Sequence, residues 1–404
     1  TEIKTDDCGS EVGGLFIEAC HRRKTPRMCN DATIPNKFDV NGEPVKACYW
    51  EDKDKDSASN RYGGTIFSEW EVLKEVVVGS AYSKSFLKNF TDNEFVEGMP
   101  KILEETEEDL QSLQNLLEQH GVLVRRPAQA DLEKQIGPGW VSEYPYPPIC
   151  PRDFHFVYNK MIINTIGGDC NRYHESDYFN SIMQFKHMAE DRDYYFMPRP
   201  ILDSQYKSYH EYEPQLMWHS ANMLKCGDTI LHTRPYDNNN GKGTYSGLNW
   251  MKRTLPEGVK YIEIPAVGHA DGKLALLKPG LMLCWDPKHI PNEMHKWDYI
   301  QVPTSKKDEQ LEQLQLSPFY KNSVKQWLNH WIGFVDETCF DINVLSIDPN
   351  TVITNGYNKE VDEQLSKHNI KMIPFNFRHK YFWDSGLHCI TLDLTREGSL
   401  ETYV

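Results

Sequence analysis

Residues 383–393 read WDSGLHCITLD and place Cys389 between a glycine turn and a strand-like segment. A thiol in that position can be presented at the start of a strand. Cysteine reactivity depends on its surroundings, and a buried cysteine is commonly a small hydrophobic residue. Both interpretations of Cys389 therefore stay open from this stretch alone, and the residues upstream must decide between them.

A second candidate group lies at residues 268–271, which read Gly-His-Ala-Asp. Apolar residues precede it at 262–267 and follow it at 274–277, so we expect a strand, on which His269 and Asp271 point to the same face. The pair is suited to acid–base chemistry, but a core histidine satisfied by a neighbouring carboxylate has the same pattern.

Local patterns predict an α/β protein. The β-branched run at 72–78 predicts a buried strand, and Pro100 marks the start of a helix that ends at Gly121, before a strand at 122–124. One face of that helix carries Leu103, Leu110, Leu113 and Leu117.

Two hairpins are predicted further along, around Asn159-Lys160 and around the turn at 348–350. Residues 306–315 are acidic and rich in glutamine, which favours a solvated helix or lid over a binding site. Residues 1–64 show no sustained period, so we expect an irregular N-terminal extension.

Composition excludes several classes of function. The chain has 404 residues, 39% of them hydrophobic, and a formal charge of −15, which favours a globular protein and disfavours nucleic acid as a partner. There is no apolar run of about 18 residues and residues 1–7 are polar, so we expect neither a membrane span nor a signal peptide.

The ten cysteines lack close paired spacing, which favours reduced thiols and a cytoplasmic location. The same spacing argues against a zinc site built from Cys8, Cys20, Cys29 and Cys48. Phosphate-loop and dinucleotide fingerprints are absent, so no cofactor and no metal is expected.

The order of four motifs along the chain is more specific than any one of them alone. Pro151-Arg152-Asp153 is followed by a hairpin, by Arg172, by the His269-x-Asp271 pair and by Gly386-x-His388-Cys389. In this order the chain resembles the arginine:glycine amidinotransferase family, from about Phe67 to its end. Further similar stretches are 68–70, 75–79, 247–253 and 398–400.

The resemblance implies the pentein fold, a five-bladed α/β-propeller in which ββαβ units circle a pseudo-fivefold axis. Residues 65–404 would form this one domain, with residues 1–64 as an extension. The family also makes a homodimer a reasonable expectation.

The resemblance also implies a reaction and assigns its residues. Cys389 would attack the guanidinium carbon of arginine, His269 would act as general acid and then base, and ornithine would leave. Asp153 and Asp271 would hold the planar guanidinium in its plane, with Arg172 also in the substrate site. An amine, glycine or another, would then accept the amidino group from Cys389.

Three departures from the family pattern concern the site. His219 stands where the family has an aspartate that orients the catalytic histidine, and Glu213 could supply a compensating charge. Lys288 replaces an arginine that holds the donor's carboxylate, which removes the bidentate fork. Asp336 and Glu337 replace a serine pair for that carboxylate, so a basic donor end or a polyamine-like acceptor is better tolerated.

Two alternatives therefore stand beside amidino transfer. One is a guanidine hydrolase or deiminase of the same superfamily, in which water takes the place of the amine. The other is a catalytically altered homologue that only binds its ligand.

Overall fold

The computed structural model describes residues 65–83, 93–127, 146–167, 172–199, 216–235, 243–302 and 340–404, and the backbone of four short strands outside them. The strands are β1 (Thr33–Phe38), β2 (Pro44–Lys46), β3 (Val72–Val78), β4 (Leu123–Arg125), β5 (Gln135–Gly137), β6 (Trp140–Ser142), β7 (His155–Tyr158), β8 (Met161–Asn164), β9 (Asp193–Phe196), β10 (Met223–Cys226), β11 (Thr229–Arg234), β12 (Lys260–Val267), β13 (Leu274–Lys278), β14 (Leu281–Cys284), β15 (Asp298–Gln301), β16 (Leu345–Asp348), β17 (Thr351–Asn355), β18 (Lys371–Phe375) and β19 (Thr391–Glu397). The α-helices are α1 (Asn93–Gln119), α2 (Pro151–Phe154), α3 (Asn180–Glu190), α4 (Tyr245–Thr254), α5 (Lys359–Lys367) and α6 (Lys380–Trp383).

The chain divides into two compact units. One comprises residues 1–63 with 185–191, and the other comprises residues 64–184 with 192–404. In the first unit β1 and β2 pair antiparallel, a feature that the sequence pattern of residues 1–64 did not indicate. The six residues of β1, TIPNKF, do not alternate between apolar and polar, and the three residues of β2 are too few for a period of two to show.

The second unit contains five three-stranded sheets of one pattern. In each sheet two antiparallel strands are followed by a third that pairs parallel to the middle one, as in β7-β8-β9, β10-β11-β12, β13-β14-β15 and β16-β17-β18. A parallel pair needs a crossover, and helices α1, α3, α4 and α5 lie in four of these connections. The α/β class is thereby confirmed.

The fifth sheet joins the two ends of this unit. Its order is β19-β3-β4, with β19 antiparallel and β4 parallel to β3. The buried strand predicted at 72–78 is confirmed as β3. This pairing brings the segment that carries Cys389 against the first strand of the unit.

Helix α1 confirms one prediction and corrects another. Leu103, Leu110, Leu113 and Leu117 are buried in one core with Leu387 and Ile390. Burial of each leucine contributes about 1.5–3 kcal/mol. The predicted start at Pro100 is wrong, because the helix begins at Asn93 and includes this proline. The predicted end is confirmed, since Gly121 has φ +77° and β4 follows.

Both hairpins are confirmed. β7 and β8 pair antiparallel around Asn159, which has φ 53°, and β16 pairs with β17 across the 348–350 turn. Asn350 N–H donates to Asp348 Oδ1 at 2.7 Å in that turn.

The strand predicted through His269 and Asp271 is wrong. β12 ends at Val267, Gly268 takes φ +84°, and residues 270–272 form a 3₁₀ turn before β13. A positive φ at Gly268 ends the extended backbone, so the alternation of side chains stops there. His269 and Asp271 therefore lie in a loop between two sheets and face different partners.

Candidate active site

Cys389 lies in the loop between α6 and β19 and is held by Asn343. The side-chain amide of Asn343 donates to Cys389 Sγ at 3.1 Å, and its oxygen accepts the Cys389 N–H at 3.0 Å. Gly386 permits this approach, because a Cβ there would lie 2.4 Å from the Asn343 side chain. The glycine turn therefore places Asn343 against the thiol.

Two carboxylates determine the electrostatics of the thiol. Cys389 is 6% exposed, and its S–H donates to Asp271 Oδ2 at 3.4 Å. Burial, followed by the charges of Asp271 and Asp153, raises the pKa of Cys389 well above its usual value. Without a ligand the protein thus holds a protonated thiol at neutral pH.

Asp271 has one paired and one unpaired oxygen. His388 Nδ1 donates to Asp271 Oδ2 at 2.8 Å, while Oδ1 is buried and has no hydrogen-bond partner among the described residues. Burial alone would raise the pKa of Asp271, but the bond from His388 and nearby positive charge outweigh burial and lower it. Asp271 is therefore ionised at neutral pH.

Asp153 repeats this arrangement from α2. Arg172 Nη2 lies 2.7 Å from Asp153 Oδ2, whereas Oδ1 is buried and has no hydrogen-bond partner among the described residues. Asp153 is 3% exposed. A cation entering this region thus meets two carboxylate oxygens that the protein leaves uncommitted.

Arg172 is engaged by the protein itself. It forms a bidentate pair with Glu175 at 2.6 and 3.1 Å and lies between the rings of Tyr146 and Phe154, at 4.5 and 4.7 Å from their centroids. Burial raises the pKa of Glu175 to about 8, against the opposing effect of Arg172. Arg172 thus contacts both Asp153 and Glu175, and its predicted place among the substrate-binding residues stays a prediction.

His219 and His269 face each other. His219 Nδ1 lies 3.0 Å from His269 Nε2, so one imidazole donates to the other, and His269 Nδ1 lies 3.9 Å from Asp153 Oδ1. His219 is fully buried, and a Cβ at Gly167 would lie 2.3 Å from its Nε2. The predicted neighbours His219 and His269 are thus brought together, next to Asp153.

Sequence reasoning missed an ion network behind His388. The Nε2 of His388 lies 3.2 Å from Glu69 Oε2, and Lys225 Nζ lies 2.9 Å from Glu69 Oε1. Arg152 Nη1 is 3.7 Å from Glu69, and its Nη2 donates to Asp393 at 2.9 Å. Burial would raise the pKa of Glu69, but Lys225, His388 and Arg152 together hold it far below its usual range.

The signals for these residues were weak. Glu69 and His388 stand in motifs that carry the family resemblance, but nothing in their spacing shows that they meet. Asn343 has no motif of its own.

Among the remaining predicted residues only Lys288 is described, and it lies on the surface. The Lys288 side chain is 71% exposed and pairs with Asp286 at 2.7 Å. Asp336, Glu337 and Glu213 lie outside the described residues, as does the 306–315 segment. The roles assigned to these residues stay predictions.

Asp153, His219 and His269 could together hold a metal ion, because a ligand atom from each lies within 4.8 Å of the others. The described cysteines, Cys150, Cys226, Cys284 and Cys389, are free thiols. Among the described helices, none combines the length and apolar character needed to cross a membrane.

No protein-family model matches the chain. Inosamine-phosphate amidinotransferase 1 of Streptomyces glaucescens is 25% identical over 375 residues, covering 84% of this chain and 98% of that protein. The mitochondrial glycine amidinotransferase of Xenopus laevis is 25% identical over 410 aligned positions, covering 89% of each.

A solved structure shows a similar fold. The solved structure of an amidinotransferase from Microseira wollei, described as part of a saxitoxin biosynthetic pathway, superposes with a TM-score of 0.67 at 23% identity. It covers 85% of this chain and all of that one. The chain is thus homologous to amidinotransferases over most of its length and is an enzyme of that class.

Proposed function

We propose that this enzyme moves the amidino group of L-arginine to an amine through a covalent intermediate on Cys389. One observation supports the proposal most directly. Asp153 and Asp271 each keep a buried oxygen without a hydrogen-bond partner among the described residues, and Asp271 lies 3.4 Å from the thiol. Buried acceptors are normally paired, so a site with two uncommitted carboxylate oxygens is suited to a donor-rich cation.

A guanidinium fits these oxygens chemically. It is planar and cationic, and its N–H groups point outward in a fixed fork that two carboxylates can accept. Its charge would also lower the pKa of Cys389, which burial and the two aspartates raise in the free enzyme. Substrate binding thereby assists formation of the nucleophile.

The covalent step then follows. Cys389 loses its proton to His269 when the guanidinium is bound, and Sγ forms a bond to the guanidinium carbon. The bond from that carbon to the departing nitrogen breaks, and His269 donates the proton that completes ornithine. The acceptor amine attacks the same carbon, gives a proton to His269 and releases the sulfur. This order predicts ping-pong kinetics.

His219 would orient His269 through the ring contact at 3.0 Å. A neutral imidazole can hold the ring and its tautomer, but it cannot stabilise an imidazolium as a carboxylate does. We therefore propose that His219 holds His269 in position but does little to stabilise its protonated form.

The acceptor is an amine whose identity differs across the relatives, which are named for inosamine-phosphate and for glycine. Lys288, Asp336 and Glu337 stand where the family pattern holds the donor's carboxylate. Acidic groups repel a carboxylate and attract a cation, so we propose that a basic donor end or a basic acceptor, such as a polyamine, is tolerated best there.

The same proposal extends to architecture. The five sheets would close into the α/β-propeller over residues 65–404, with residues 1–64 as an extension. A cytoplasmic location and a homodimer are proposed with it, from the cysteine spacing and the family.

Intact-protein mass spectrometry after brief incubation with arginine tests the reaction. We expect wild type and Cys284→Ala, a matched control for a buried free thiol, to gain the mass of one amidino group. Cys389→Ala should gain nothing, and a suitable amine should discharge the wild-type adduct.

Release of citrulline or urea, with no transfer to any amine, would identify a hydrolase. No adduct and no ornithine would overturn arginine as donor.

A further inference from the structure

Asp153, His219 and His269 form a buried cluster of one carboxylate and two imidazoles. The three side chains come from α2, from the residue before the 220–222 turn and from the residue before the 270–272 turn. Their exposed fractions are 3%, 0% and 8%, and one potential ligand atom of each lies within 4.8 Å of the others. Two histidines and a carboxylate are a ligand set for a divalent transition metal.

The histidine pair is spaced for chelation. His219 Nδ1 and His269 Nε2 are 3.0 Å apart. Two nitrogens at about 2.1 Å from Zn²⁺ in tetrahedral geometry lie roughly 3.4 Å from each other. An ion therefore needs the two nitrogens to separate by about 0.4 Å and the rings to turn, so that both lone pairs point at the ion and no proton lies between them.

Asp153 supplies the independent observation that points to a ligand. Its Oδ2 is taken by Arg172 at 2.7 Å, but its Oδ1 is buried, has no hydrogen-bond partner among the described residues and faces His269 Nδ1 at 3.9 Å. A buried, uncommitted carboxylate oxygen beside two imidazoles attracts a cation. Arg172 and Glu175 hold the rest of the carboxylate in place, as a supporting layer does in metal sites.

His219 decides the choice of cation. An aspartate in its place would make a site of two carboxylates and one imidazole, which suits hard cations better. With His219 the set gains a second nitrogen, which favours Zn²⁺ and its neighbours in the transition series.

We propose that Asp153, His219 and His269 form a binding site for Zn²⁺, and that the ion inhibits the enzyme by occupying the place of the substrate's guanidinium. The binding site stands on geometry alone, whereas the inhibition rests on the proposed function. Zn²⁺ and the guanidinium would both bind Asp153, so they compete. An ion bound to His269 would also block the proton transfer that this residue performs. The proton between the rings moves to the other nitrogen of its ring when the ion binds, and affinity falls at low pH, where an imidazole becomes protonated on both nitrogens.

Titration of the full-length protein with Co²⁺ tests the site, because the visible absorption of Co²⁺ reports its ligands. We expect wild type to give a saturable spectrum with one ion per chain, which Zn²⁺ displaces. His219→Gln and Asp153→Asn should each weaken binding at least about tenfold. His232→Gln is the matched control. His232 is a buried histidine outside the cluster, and its Nδ1 hydrogen-bonds to the Thr233 carbonyl.

Cys389→Ser separates this proposal from the proposed function. It abolishes amidino transfer but should retain Co²⁺ binding within about threefold, since the thiol is outside the ligand set. Arginine should raise the apparent dissociation constant of Co²⁺ in this variant, if both cations share the site.

No Co²⁺ spectrum in folded wild type would overturn the metal site. So would equal losses in His219→Gln and His232→Gln, or a loss in Cys389→Ser as large as that in His219→Gln. Retained Co²⁺ binding with no amidino adduct on wild type would instead remove the proposed function and leave the site.

Discussion

The two sides of Cys389 are built differently. On one side Asp271 is tied through His388 to Glu69, Lys225 and Arg152 by short polar contacts. On the other side Asp153 meets His269 only at 3.9 Å, and His269 is held by another imidazole. Both carboxylates keep one buried oxygen without a hydrogen-bond partner among the described residues. The difference is that Asp271 joins a charge network through His388, whereas Asp153 pairs with Arg172 and lies beside a pair of histidines.

The two surroundings suit two different tasks, which are holding a carboxylate in place and transferring a proton. A buried network in which the charges are paired costs much to rearrange, so it holds Asp271 in one place. A pair of imidazoles changes its proton arrangement at little structural cost, which suits proton transfer. We therefore expect substitutions on the Asp271 side to affect guanidinium binding and folding, and those on the Asp153 side to affect protonation.

The largest effect is expected for Asp271→Asn. Loss of this charge removes a carboxylate that would hold the guanidinium, which should lower kcat/KM by about 10²–10³-fold. Steady-state kinetics with arginine measure it, and the exposed Asp298→Asn is the control. A decrease of less than tenfold would contradict the role of Asp271 as substrate ligand.

Glu69→Gln tests whether the Asp271 side also stabilises the fold. It leaves Lys225 and Arg152 buried with less compensating charge, so we expect the free energy of unfolding to fall by about 3 kcal/mol. Urea denaturation measures this. Glu263→Gln, in an exposed pair with Arg234 at 2.6 Å, should cost no more than about 1 kcal/mol. Equal losses in the two variants would show that the buried network stabilises the fold no more than an exposed ion pair does.

The pH dependence of that stability follows from Glu69. Its pKa is lowered in the folded state, so its contribution is present above the unfolded value of 4.5 and is lost as pH falls toward the folded value. The difference in unfolding free energy between wild type and Glu69→Gln should therefore shrink below about pH 4.5. Urea melts at several pH values check this, and a difference that grows in acid would contradict it.

The smallest expected effect is a gain. His219→Asp places a carboxylate beside His269, which favours the protonated imidazole and should raise kcat by about tenfold at neutral pH. The alkaline limb of the pH–rate profile should also move to higher pH. His219→Gln keeps a neutral group and should leave that limb in place. Identical profiles for the two variants would remove His219 as an influence on His269.

Sequence reasoning was accurate where the signal was local. Strand β3 and the two hairpins were predicted from residue type and turn chemistry, which act over a few positions. The same reasoning misplaced the start of α1 at Pro100, because proline is favoured in a first turn although the chain can carry it within a helix. It also extended a strand through Gly268, whose positive φ no neighbouring residue reveals.

The contacts around the thiol were beyond such reasoning. Glu69 and His388 are 319 residues apart, and Cys389 and Asn343 are 46 apart, yet each pair is in hydrogen-bond contact. Periodicity carries no information about partners at such separations. For this reason the sequence alone suggested no role for Asn343 or Glu69.

The sequence by itself determined which groups are available: the thiol of Cys389, the imidazoles of His219 and His269, and the carboxylates of Asp153 and Asp271. It also determined, through glycine, where the chain can turn toward them. Only the tertiary structure decided that His388 binds Asp271, that Arg172 serves Asp153, and that the two histidines meet at 3.0 Å. The physical reason is that chemical identity is local, whereas burial and pairing, which set charge and reactivity, depend on segments that meet only after folding.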